Sequence, residues 1–541
     1  AMAKRGDSNQ TRAQQVVDEM VKRHESMMNP KSHPLSTALT SFGFIFHLGL
    51  SPASALVNVS QTAFVAYPVM GAKWGFDKAA AALLKASGQA AVRKNDITGA
   101  LTADERAAYD AAVRAGTIDV TMAHDLAGVA QGEDSGVMWR IRPVMRAASY
   151  LFHHAERFNR QVTFIAAYRL AREAGASHIE AQEQATQATY DGHFDYSAAN
   201  RPRFMQGSVA KVILLFKQYA QNMIYTMLRN AYVGFIKDAP GANEKAKAKE
   251  ARRVIYGLAA MTQVAAGAMG MPWLLTAIPL AIAQAIGGDD DEPWDAEVAL
   301  QNYLADAFGH KFAEVFMHGF SRLTPFDISG RVGLDKMIFP DVQEGLSAGS
   351  WVESFGFGMA GAVPGIALNW GKGLQDIAQG HTMLGIENMM PVVLRNAMKA
   401  IRYAMDGAQD KTGITIMDDV GPVSVFGQAL GFSPSEVRHA TEGKAAILDA
   451  DKKLSERRQS LMNKFARASM HGDTETMQEA RKEISRFNGK NPERRITNEN
   501  LMSSVRMRNR RVNEAQHGVY LSKTHRGVMS EGHFAFDNEA E

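Results

Sequence analysis

Cysteine is absent from this 541-residue chain. Neither a disulfide framework nor a thiolate metal site can form, so the fold does not depend on the redox state of its compartment. Aromatic residues make up only 8% of the sequence, whereas Ala and Met are abundant. Because Ala, Leu, Met, Glu, Lys and Arg lose little on entering a helix, this composition favours helix over sheet.

A strong overall charge is also missing. The 60 Lys and Arg residues nearly balance the 57 Asp and Glu residues, which leaves a formal net charge of +3. This balance gives no global attraction to nucleic acid, so any such attraction must be regional. The opening sequence, AMAKRGDSNQ, has no apolar run behind its basic residues, and we therefore expect no secretory signal peptide there.

Common enzyme signatures are absent as well. The sequence contains no G-x-x-x-x-G-K-[ST] loop, no H-E-x-x-H and no G-x-S-x-G elbow. Gly356, Gly358 and Gly361 form a G-x-G-x-x-G pattern, but no strand precedes it and no acidic residue is placed to bind a ribose. We interpret these glycines as backbone packing or flexibility of an apolar helix, and predict a non-enzymatic protein without a cofactor.

Potential metal ligands occur in three places, and each has a simpler interpretation. The candidate side chains are His153, His154, Glu156, Asp191, His193, Asp195 and the acidic run 289–292. Asp residues in loops commonly cap and turn the backbone, which favours a structural use for 191–195. The acidic run could bind a hard cation, but a solvated turn explains it equally well. We therefore predict no metal site.

Helical periodicity is the main secondary-structure signal. Apolar residues recur at helical spacing in the segments 12–28, 137–175, 205–237, 295–323 and 441–487. Thr102 with Glu105 and Ser177 with Glu180 fit capping boxes. The Gly-rich stretch 324–440 is interpreted as irregular with short apolar pieces. Since no strand-alternating series and no long repeat is present, we predict an all-α fold, an extended multi-helix assembly.

Composition shifts divide the chain into six expected regions. These are an N-terminal helical region 1–130, an amphipathic helical core 131–253, an apolar membrane-insertable segment 254–290, a Gly-rich helical region 291–440, a basic helical region 441–511 and a polar tail 512–541. Lys211, Lys217 and Arg229 interrupt the apolar stripe of 205–237, so that helix is amphipathic rather than lipid-spanning. An earlier uncharged run, 35–72, is rich in Ser, Thr and Gly, and this composition favours buried helices over membrane insertion.

A second segment without a charged side chain, more lipophilic than 35–72, is 254–288, VIYGLAAMTQVAAGAMGMPWLLTAIPLAIAQAIGG. About 20 mostly apolar residues span a bilayer as a helix. The segment is therefore long enough to span once, or to enter as two half-helices broken near Pro272 and Pro279. The residues expected to insert are Met271, Trp273, Leu274, Leu275, Ile278 and Leu280.

The flanks of this segment carry opposite charges, which favours insertion. Basic residues precede it within 245–253, and acidic residues follow it at 289–292. Lys and Arg near a membrane segment bias its orientation, so we expect the N-terminal flank on the cytoplasmic side. Ala266, Gly267 and Gly270 would let helices approach closely in a membrane or in a soluble bundle. A buried core hairpin is therefore the alternative.

A regional excess of basic residues lies near the C-terminal end. The segment 452–511 contains 16 Lys and Arg residues against seven Asp and Glu residues. Its densest cluster is Arg506, Arg508, Arg510 and Arg511. Such a cluster can neutralise the phosphates of DNA or of anionic lipid headgroups. The alternative is a solvated helix face partly paired by neighbouring glutamates. No aromatic residues interleave to stack on bases, so DNA binding would be sequence-independent.

Several local patterns together resemble a known group of proteins. The patterns are ERFNRQVTFIAAYRLA at 156–171, HFDYSAANRPRF at 193–204, KVILLFKQYAQNMIYTMLR at 211–229, FDISGRVGLDKMIFP at 326–340 and LGFSPSEV at 430–437. In this order they resemble the C-terminal region of very large phage and prophage proteins. That group is variously called PLxRFG proteins, large polyvalent proteins or internal virion proteins of short-tailed phages. The PLxRFG hexapeptide itself is not in this chain.

This resemblance implies an ejection protein. Such a protein is stored inside the virion, leaves before or with the genome, and reassembles in the host periplasm and inner membrane as a conduit for DNA. The implied partners are other phage ejection proteins, phage DNA bound non-specifically, the host inner membrane and further copies of the chain. The resemblance carries no catalytic residues to this part of the sequence.

Two other functions stay open at the level of sequence. One is a non-catalytic packaging or docking module of a giant virion enzyme such as a virion RNA polymerase. The other is a soluble helical enzyme whose site is formed by scattered residues. Liposome binding would favour the ejection protein, whereas salt-dependent DNA binding without liposome binding would favour the docking module.

Overall fold

Helices dominate the computed structural model of this chain. The described residues are 8–28, 34–93, 95–119, 138–195, 207–271, 279, 282, 291, 295–334, 362–409 and 414–516. Within these residues every strand is only two or three residues long. The predicted all-α class is therefore confirmed.

The α-helices of the first half of the described chain are α1 Ser8–Met28, α2 Pro34–Leu48, α3 Pro52–Val59, α4 Tyr67–Trp74, α5 Phe76–Val92, α6 Ala103–Arg114, α7 Met138–Glu173, α8 His178–His193, α9 Ser208–Ile213, α10 Lys217–Ala231 and α11 Ala242–Ala266. Short π-helices at Thr62–Ala66 and Tyr232–Ile236 precede α4 and follow α10. Short 3-10 turns lie at Ile97–Ala100 and Ala268–Gly270.

The second half contains α12 Ala296–Phe308, α13 His310–His318, α14 Ser329–Val332, α15 Ala362–Ala378, α16 Thr382–Met389, α17 Val392–Asp406, α18 Pro422–Leu430, α19 Ser435–His471, α20 Thr474–Lys490 and α21 Asn498–Gln516. The strands are β1 Phe326–Asp327, β2 Ala408–Gln409, β3 Thr415–Met417 and β4 Ser433–Pro434. They form two antiparallel pairs, β1 with β4 and β2 with β3. The 3-10 turns here are Phe320–Leu323 and Pro492–Arg494.

Both predicted capping boxes are confirmed. The Thr102 hydroxyl accepts a hydrogen bond from the Glu105 backbone N–H, and the Glu105 carboxylate accepts one from the Thr102 N–H at 2.9 Å. Ser177 and Glu180 make the same reciprocal pair at the start of α8. Each box satisfies donors that the first helical turn leaves without partners. The long helix expected over 137–175 is confirmed as α7.

Two helices predicted as continuous are interrupted, so those predictions are wrong. The segment expected over 205–237 breaks between α9 and α10 at Phe216, whose φ is 68°. This ring packs against a cluster that contains the buried Phe44. The segment expected over 295–323 breaks at Gly309, where φ is 90°. Glycine has no Cβ and adopts this conformation without strain.

The interpretation of 324–440 as irregular is wrong for its described part, which is largely helical from α15 onward. Two of its glycines, Gly373 and Gly385, are contact points between helices, whereas Gly407 and Gly431 end helices with positive φ. A Cβ on Gly373 of α15 would lie 2.6 Å from the carbonyl oxygen of Gly385 in α16. The two backbones therefore approach too closely for any larger side chain at this crossing.

The chain divides into two compact units. The first unit comprises Ala1–Ile278 with Gln301–Thr441, and the second comprises Pro279–Leu300 with Glu442–Glu541. In the first unit, helices that follow one another along the chain pack together: α7 with α8, α15 with α16 and α17 with α18. Its largest core cluster joins α4, α5, α6, α7 and α8, with Met70, Leu83, Tyr109, Phe164 and Ala185 among the buried residues.

Arg160 lies at the centre of a polar layer inside the first unit. Its side chain is only 1% exposed and pairs with Glu156 at 3.4 Å. It also donates to the backbone carbonyl oxygens of Thr117 at 3.1 Å and Phe194 at 2.8 Å. The guanidinium therefore links α7 to the segment after α6 and to the C-terminal end of α8.

Neighbouring positions of α7 extend this layer. Asn159 donates to the Asn58 carbonyl oxygen at 2.7 Å and accepts from Thr62 at 2.8 Å. The Thr163 hydroxyl bonds to Nε2 of the buried His193 at 2.7 Å. The motif ERFNRQVT therefore forms an internal polar layer through the buried side chains Glu156, Asn159, Arg160, Gln161 and Thr163.

Two of the patterns that carry the family resemblance meet at Asp327. β1 pairs with β4, which brings the start of the pattern at 326–340 against Ser433 and Pro434 of the pattern at 430–437. The buried Asp327 carboxylate accepts from the Ser329 N–H at 2.8 Å and lies 3.6 Å from Arg322. Arg438, from the start of α19, approaches the same carboxylate to 3.1 Å.

The protonation of Asp327 follows from these contacts. Burial alone would raise the pKa of Asp327, but hydrogen bonds from Ser329 and the charges of Arg322 and Arg438 outweigh it and lower the pKa. The ionised carboxylate is therefore the form that this junction stabilises.

The first part of the uncharged run is the C-terminal half of α11. Val254 and Leu258 are buried in the core of the first unit. Beyond α11, Gly267 lies directly against the backbone of Met317 and His318, so its lack of a side chain permits a close helix approach.

No single helix in the described part of the chain is long and apolar enough to cross a membrane. By length and composition alone, Ala38–Leu48 and Pro52–Trp74 together meet that requirement as a pair bent by 92°. Among the residues expected to insert, Met271 is half-buried, and the remaining five lie outside the described residues. Those five are Trp273, Leu274, Leu275, Ile278 and Leu280.

We predict that Asp327→Asn lowers the free energy of unfolding by about 3 kcal/mol, because it removes the negative charge that the buried Arg322 guanidinium contacts at 3.6 Å. Chemical denaturation followed by circular dichroism measures this change. The exposed Asp306 offers a matched control, and Asp306→Asn should change stability by less than about 0.5 kcal/mol. Equal effects of the two variants would contradict a stabilising role for the Asp327 junction.

The burial of His193 leads to a second prediction, which concerns how the free energy of unfolding depends on pH. Burial and the charge of Arg160 lower the pKa of His193 to about 3. At a pH between about 3 and 6.5, His193 is protonated in the unfolded chain, where its pKa is 6.5, but stays neutral in the folded chain. Stability should therefore be fully present above pH 6.5 and fall by up to about 1.4 kcal/mol for each pH unit below it.

The measurement for His193 is the unfolding free energy across this pH range for the parent and for His193→Gln. Glutamine cannot be protonated, so the variant should show a shallower slope. His310→Gln changes an exposed histidine and serves as the control. Identical slopes for the parent and His193→Gln would contradict this prediction.

Candidate polyanion-binding surface

The second unit has its own small core. It is formed by α20, α21 and the part of α19 that belongs to this unit. The buried side chains are Leu461, Met462, Phe465, Ala480, Ile484, Phe487, Ile496 and Leu501. Apolar residues at helical spacing on each element face this core, so the charged side chains are left on the outer surfaces.

Some basic residues of the second unit are paired within it. Arg457 lies 2.9 Å from Asp291, whose side chain is almost completely buried, and 3.5 Å from Glu483. Lys464 lies 2.8 Å from Glu483 and 3.2 Å from Glu479. These glutamates therefore neutralise part of the positive charge of the segment 452–511. The described residue of the acidic run 289–292, Asp291, contacts an arginine.

The four arginines of the predicted cluster all lie on α21, but they do not form one patch. Arg506, Arg510 and Arg511 are exposed. Arg506 and Arg510 are one helical turn apart and share a face. Arg508 is half-buried and donates to the Asn463 side chain of α19. Three of the four side chains are therefore open to a ligand, and the fourth fixes α21 to α19.

Other exposed basic side chains occur on the remaining elements of the second unit. They are Arg467 on α19, Lys482 and Arg486 on α20, and Arg495 before α21. Among the described residues, neither these four nor the three exposed arginines of α21 lie within ion-pair distance of a carboxylate. We refer to these seven residues as the basic surface.

Exposed guanidinium and ammonium groups of this kind attract phosphate chains and release the counterions condensed on them. An open groove of about 620 Å³ lies beside Arg467, but its lining mixes charges of both signs, including Glu456, Lys464 and Asp473. The basic surface is therefore a better candidate for a polyanion than the groove is.

The described side chains considered as metal ligands have partners within the fold. His154 packs its ring 4.2 Å from the ring of Tyr150, and Asp191 accepts from Gln187 at 2.9 Å. Glu156 and His193 belong to the polar layer around Arg160. No group of three or more metal-binding side chains comes together within the ranges that the structure covers. The glycine pattern at 356–361 lies outside the described residues.

Sequence reasoning missed one surface feature. Phe308, Phe312, Phe316 and Phe320 are all exposed on α12, α13 and the turn after it. Their four-residue spacing is visible in the sequence and was the available signal. It was overlooked because apolar residues at helical spacing usually form the buried face of a helix.

Comparisons with known proteins assign no relative: no family model matches the chain, and neither a curated protein nor a solved structure is significantly similar to it. The candidate site therefore depends on its own geometry. Exposed basic side chains on a small helical unit fit the phosphate backbone of a polyanion, and such backbone contacts carry no base-sequence information.

We predict sequence-independent, salt-sensitive DNA binding through the basic surface. Replacing Arg506, Arg510 and Arg511 with Gln should flatten the log–log dependence of affinity on salt by about 0.9 for each phosphate that the variant no longer neutralises. Fluorescence anisotropy with two duplexes of unrelated sequence, across a salt series, gives this slope.

Two controls separate ligand binding from other effects. Lys85→Gln with Arg114→Gln removes exposed charges from the first unit and should leave the slope unchanged. Arg508→Gln should lower stability more than it changes the slope, because Arg508 packs against α19. If the triple variant kept the parent slope, its arginines would be only a solvated helix face.

Proposed function

We propose that this protein is a phage internal virion protein, an ejection protein that leaves the capsid and helps to form a conduit for the genome across the host envelope. The observation that carries this proposal is the basic surface of the second unit, whose exposed cations suit a DNA backbone. In this role the protein acts without catalysis and without a cofactor.

The positions behind the family resemblance also support this proposal. The pattern at 156–171 supplies the polar layer around Arg160, and the patterns at 326–340 and 430–437 meet at Asp327. Residues with such internal roles are the ones that related chains would need to share in order to keep one fold. Because these residues are buried rather than exposed to a ligand, the resemblance supports a shared fold more directly than a shared ligand.

The proposed partners are other ejection proteins, DNA, the host inner membrane and further copies of this chain. The proposed locations are the virion interior before infection and the host periplasm and inner membrane afterwards. Insertion of the part of the apolar segment 254–290 that follows α11 is part of this proposal. Its support is the length of the uncharged run and the basic flank that precedes it.

The experiment that tests this function follows the protein during infection. Antibodies against the chain should detect it in purified particles, and then in the inner-membrane fraction of cells collected shortly after adsorption. A major capsid protein, which stays outside the cell, is the control for contamination by whole particles. Detection only in the host cytoplasm, with none in the particle, would overturn the proposal.

A further inference from the structure

The first unit exposes a continuous apolar surface, which we call the aromatic face. It consists of Tyr256 and Val264 on α11 and the four phenylalanines Phe308, Phe312, Phe316 and Phe320. Tyr256 is 61% exposed, Val264 54% and Phe308 64%. A large contiguous apolar patch is unusual on a soluble surface and marks a site of interaction.

Direct contacts join the two halves of this face. The Gln263 side chain donates to the Phe316 carbonyl oxygen at 2.7 Å, next to Val264. A Cβ on Gly319 would lie 2.5 Å from the carbonyl oxygen of Ala265, so the end of α13 abuts the end of α11. The row of phenylalanines therefore adjoins the C-terminal end of α11 near Phe316, next to the exposed Val264.

The phenylalanine rings also contact one another. The ring centroids of Phe308 and Phe312 are 5.0 Å apart, and those of Phe312 and Phe316 are 6.1 Å apart and stacked. The acidic residues of this segment are Asp306 and Glu314. Asp306 lies about 160° around α12 from Phe308, and Glu314 lies about 160° around α13 from both Phe312 and Phe316. The row is therefore apolar along its length and has no carboxylate within it.

Basic residues extend the same stripe toward the N-terminal end of α11. Lys245, Lys249 and Arg252 are exposed and fall within about 60° of one another and of Tyr256 on the helix surface. Glu244 and Glu250 point to other sides of the helix, about 100° or more from Lys245. One line along α11 therefore runs from cationic side chains to apolar ones.

We propose that the aromatic face docks the first unit onto an anionic lipid bilayer, lying in the boundary between headgroups and acyl chains. This inference rests on the proposed function, which requires contact with a membrane. Aromatic side chains favour that boundary, and adjacent Lys and Arg residues are attracted to anionic headgroups.

The burial of one side of α11 shows how this helix can meet a bilayer, by docking on its surface or by spanning it. Val254 and Leu258 pack into the core of the first unit, on the side of α11 away from Tyr256. Surrounding α11 with lipid would remove these side chains from their core. Contact through the outward stripe leaves that core intact, so the bilayer is met from one side only.

Charge favours lipid over a protein partner. Lysine is depleted at the centres of protein interfaces, yet here two lysines and an arginine continue the aromatic face directly. An anionic headgroup layer satisfies such cations while the acyl region receives the rings. A second copy of this chain would have to present a matching acidic border.

The first experiment measures partition of the full chain onto vesicles of phosphatidylcholine alone or mixed with phosphatidylglycerol. We expect clear binding to the mixed vesicles. Phe308→Ser, Phe312→Ser and Phe320→Ser together should lower the partition coefficient by at least about tenfold. Since these side chains are exposed, the variant should keep the parent circular dichroism and melting temperature.

Matched controls use other exposed positions. Leu84 and Val92 on α5 are 74% and 83% exposed, and Leu84→Ser with Val92→Ser should leave partition unchanged. Lys245→Gln, Lys249→Gln and Arg252→Gln together should abolish the preference for anionic vesicles. If the phenylalanine and α5 variants behave alike, the aromatic face is not the lipid site.

The second experiment measures depth. Because the chain has no cysteine, Phe312→Cys provides one unique site for an environment-sensitive fluorophore. Lipid-borne quenchers should place the label within about 10 Å of the headgroup boundary. A label at the bilayer midplane would overturn docking in favour of insertion.

The remaining outcomes distinguish this inference from the proposed function. If the triple serine variant lowers the oligomer mass in sedimentation but leaves lipid partition unchanged, the face is a contact between copies and the inference is wrong. If the parent ignores vesicles but still enters particles and binds DNA in a salt-dependent manner, only the docking inference fails.

Discussion

The burial of one guanidinium group constrains much of the first unit. Removing a cation from water costs several kcal/mol unless charges and hydrogen bonds replace its hydration. Arg160 meets that requirement only when Glu156, the Thr117 carbonyl and the Phe194 carbonyl surround it together. The end of α8, the segment after α6 and the middle of α7 must therefore all be placed before this residue is stable.

This constraint also explains why the motif around Arg160 stands out in the sequence. A run of polar residues within a helix pattern first suggests an exposed face or a binding site. Here the same residues lie in the interior, where each polar group needs a specific partner. Such positions tolerate few substitutions, so a recognisable pattern arises from packing rather than from chemistry performed on a ligand.

Local signals along the chain were enough to predict the helical class, α7 and both capping boxes. They failed where tertiary packing overrides local preference. Phe216 takes a positive φ against its intrinsic tendency, and Gly373 serves a close helix crossing although glycine usually weakens a helix. Neither outcome is visible without the neighbouring element.

The candidate site was predictable only in part. The arginine cluster was evident from composition, but the sequence could not separate Arg508, which holds α21 against α19, from Arg506 and Arg510, which face solvent. That distinction depends on where Asn463 lies, 45 residues earlier in the chain. The exposed phenylalanine row was missed because spacing alone does not tell an outward face from an inward one.

The pairing of consecutive helices, with no covalent cross-link between them, has a kinetic consequence. Contacts between chain neighbours close short loops, and folds rich in such contacts form quickly. In the proposed role of an ejection protein the chain would pass a narrow opening, and without cysteine it has no disulfide to reduce beforehand. On the far side α7 with α8 and α15 with α16 can re-form as hairpins before distant segments meet. Passage and recovery would then be limited by the assembly of the polar layer, whose partners come from well-separated parts of the sequence.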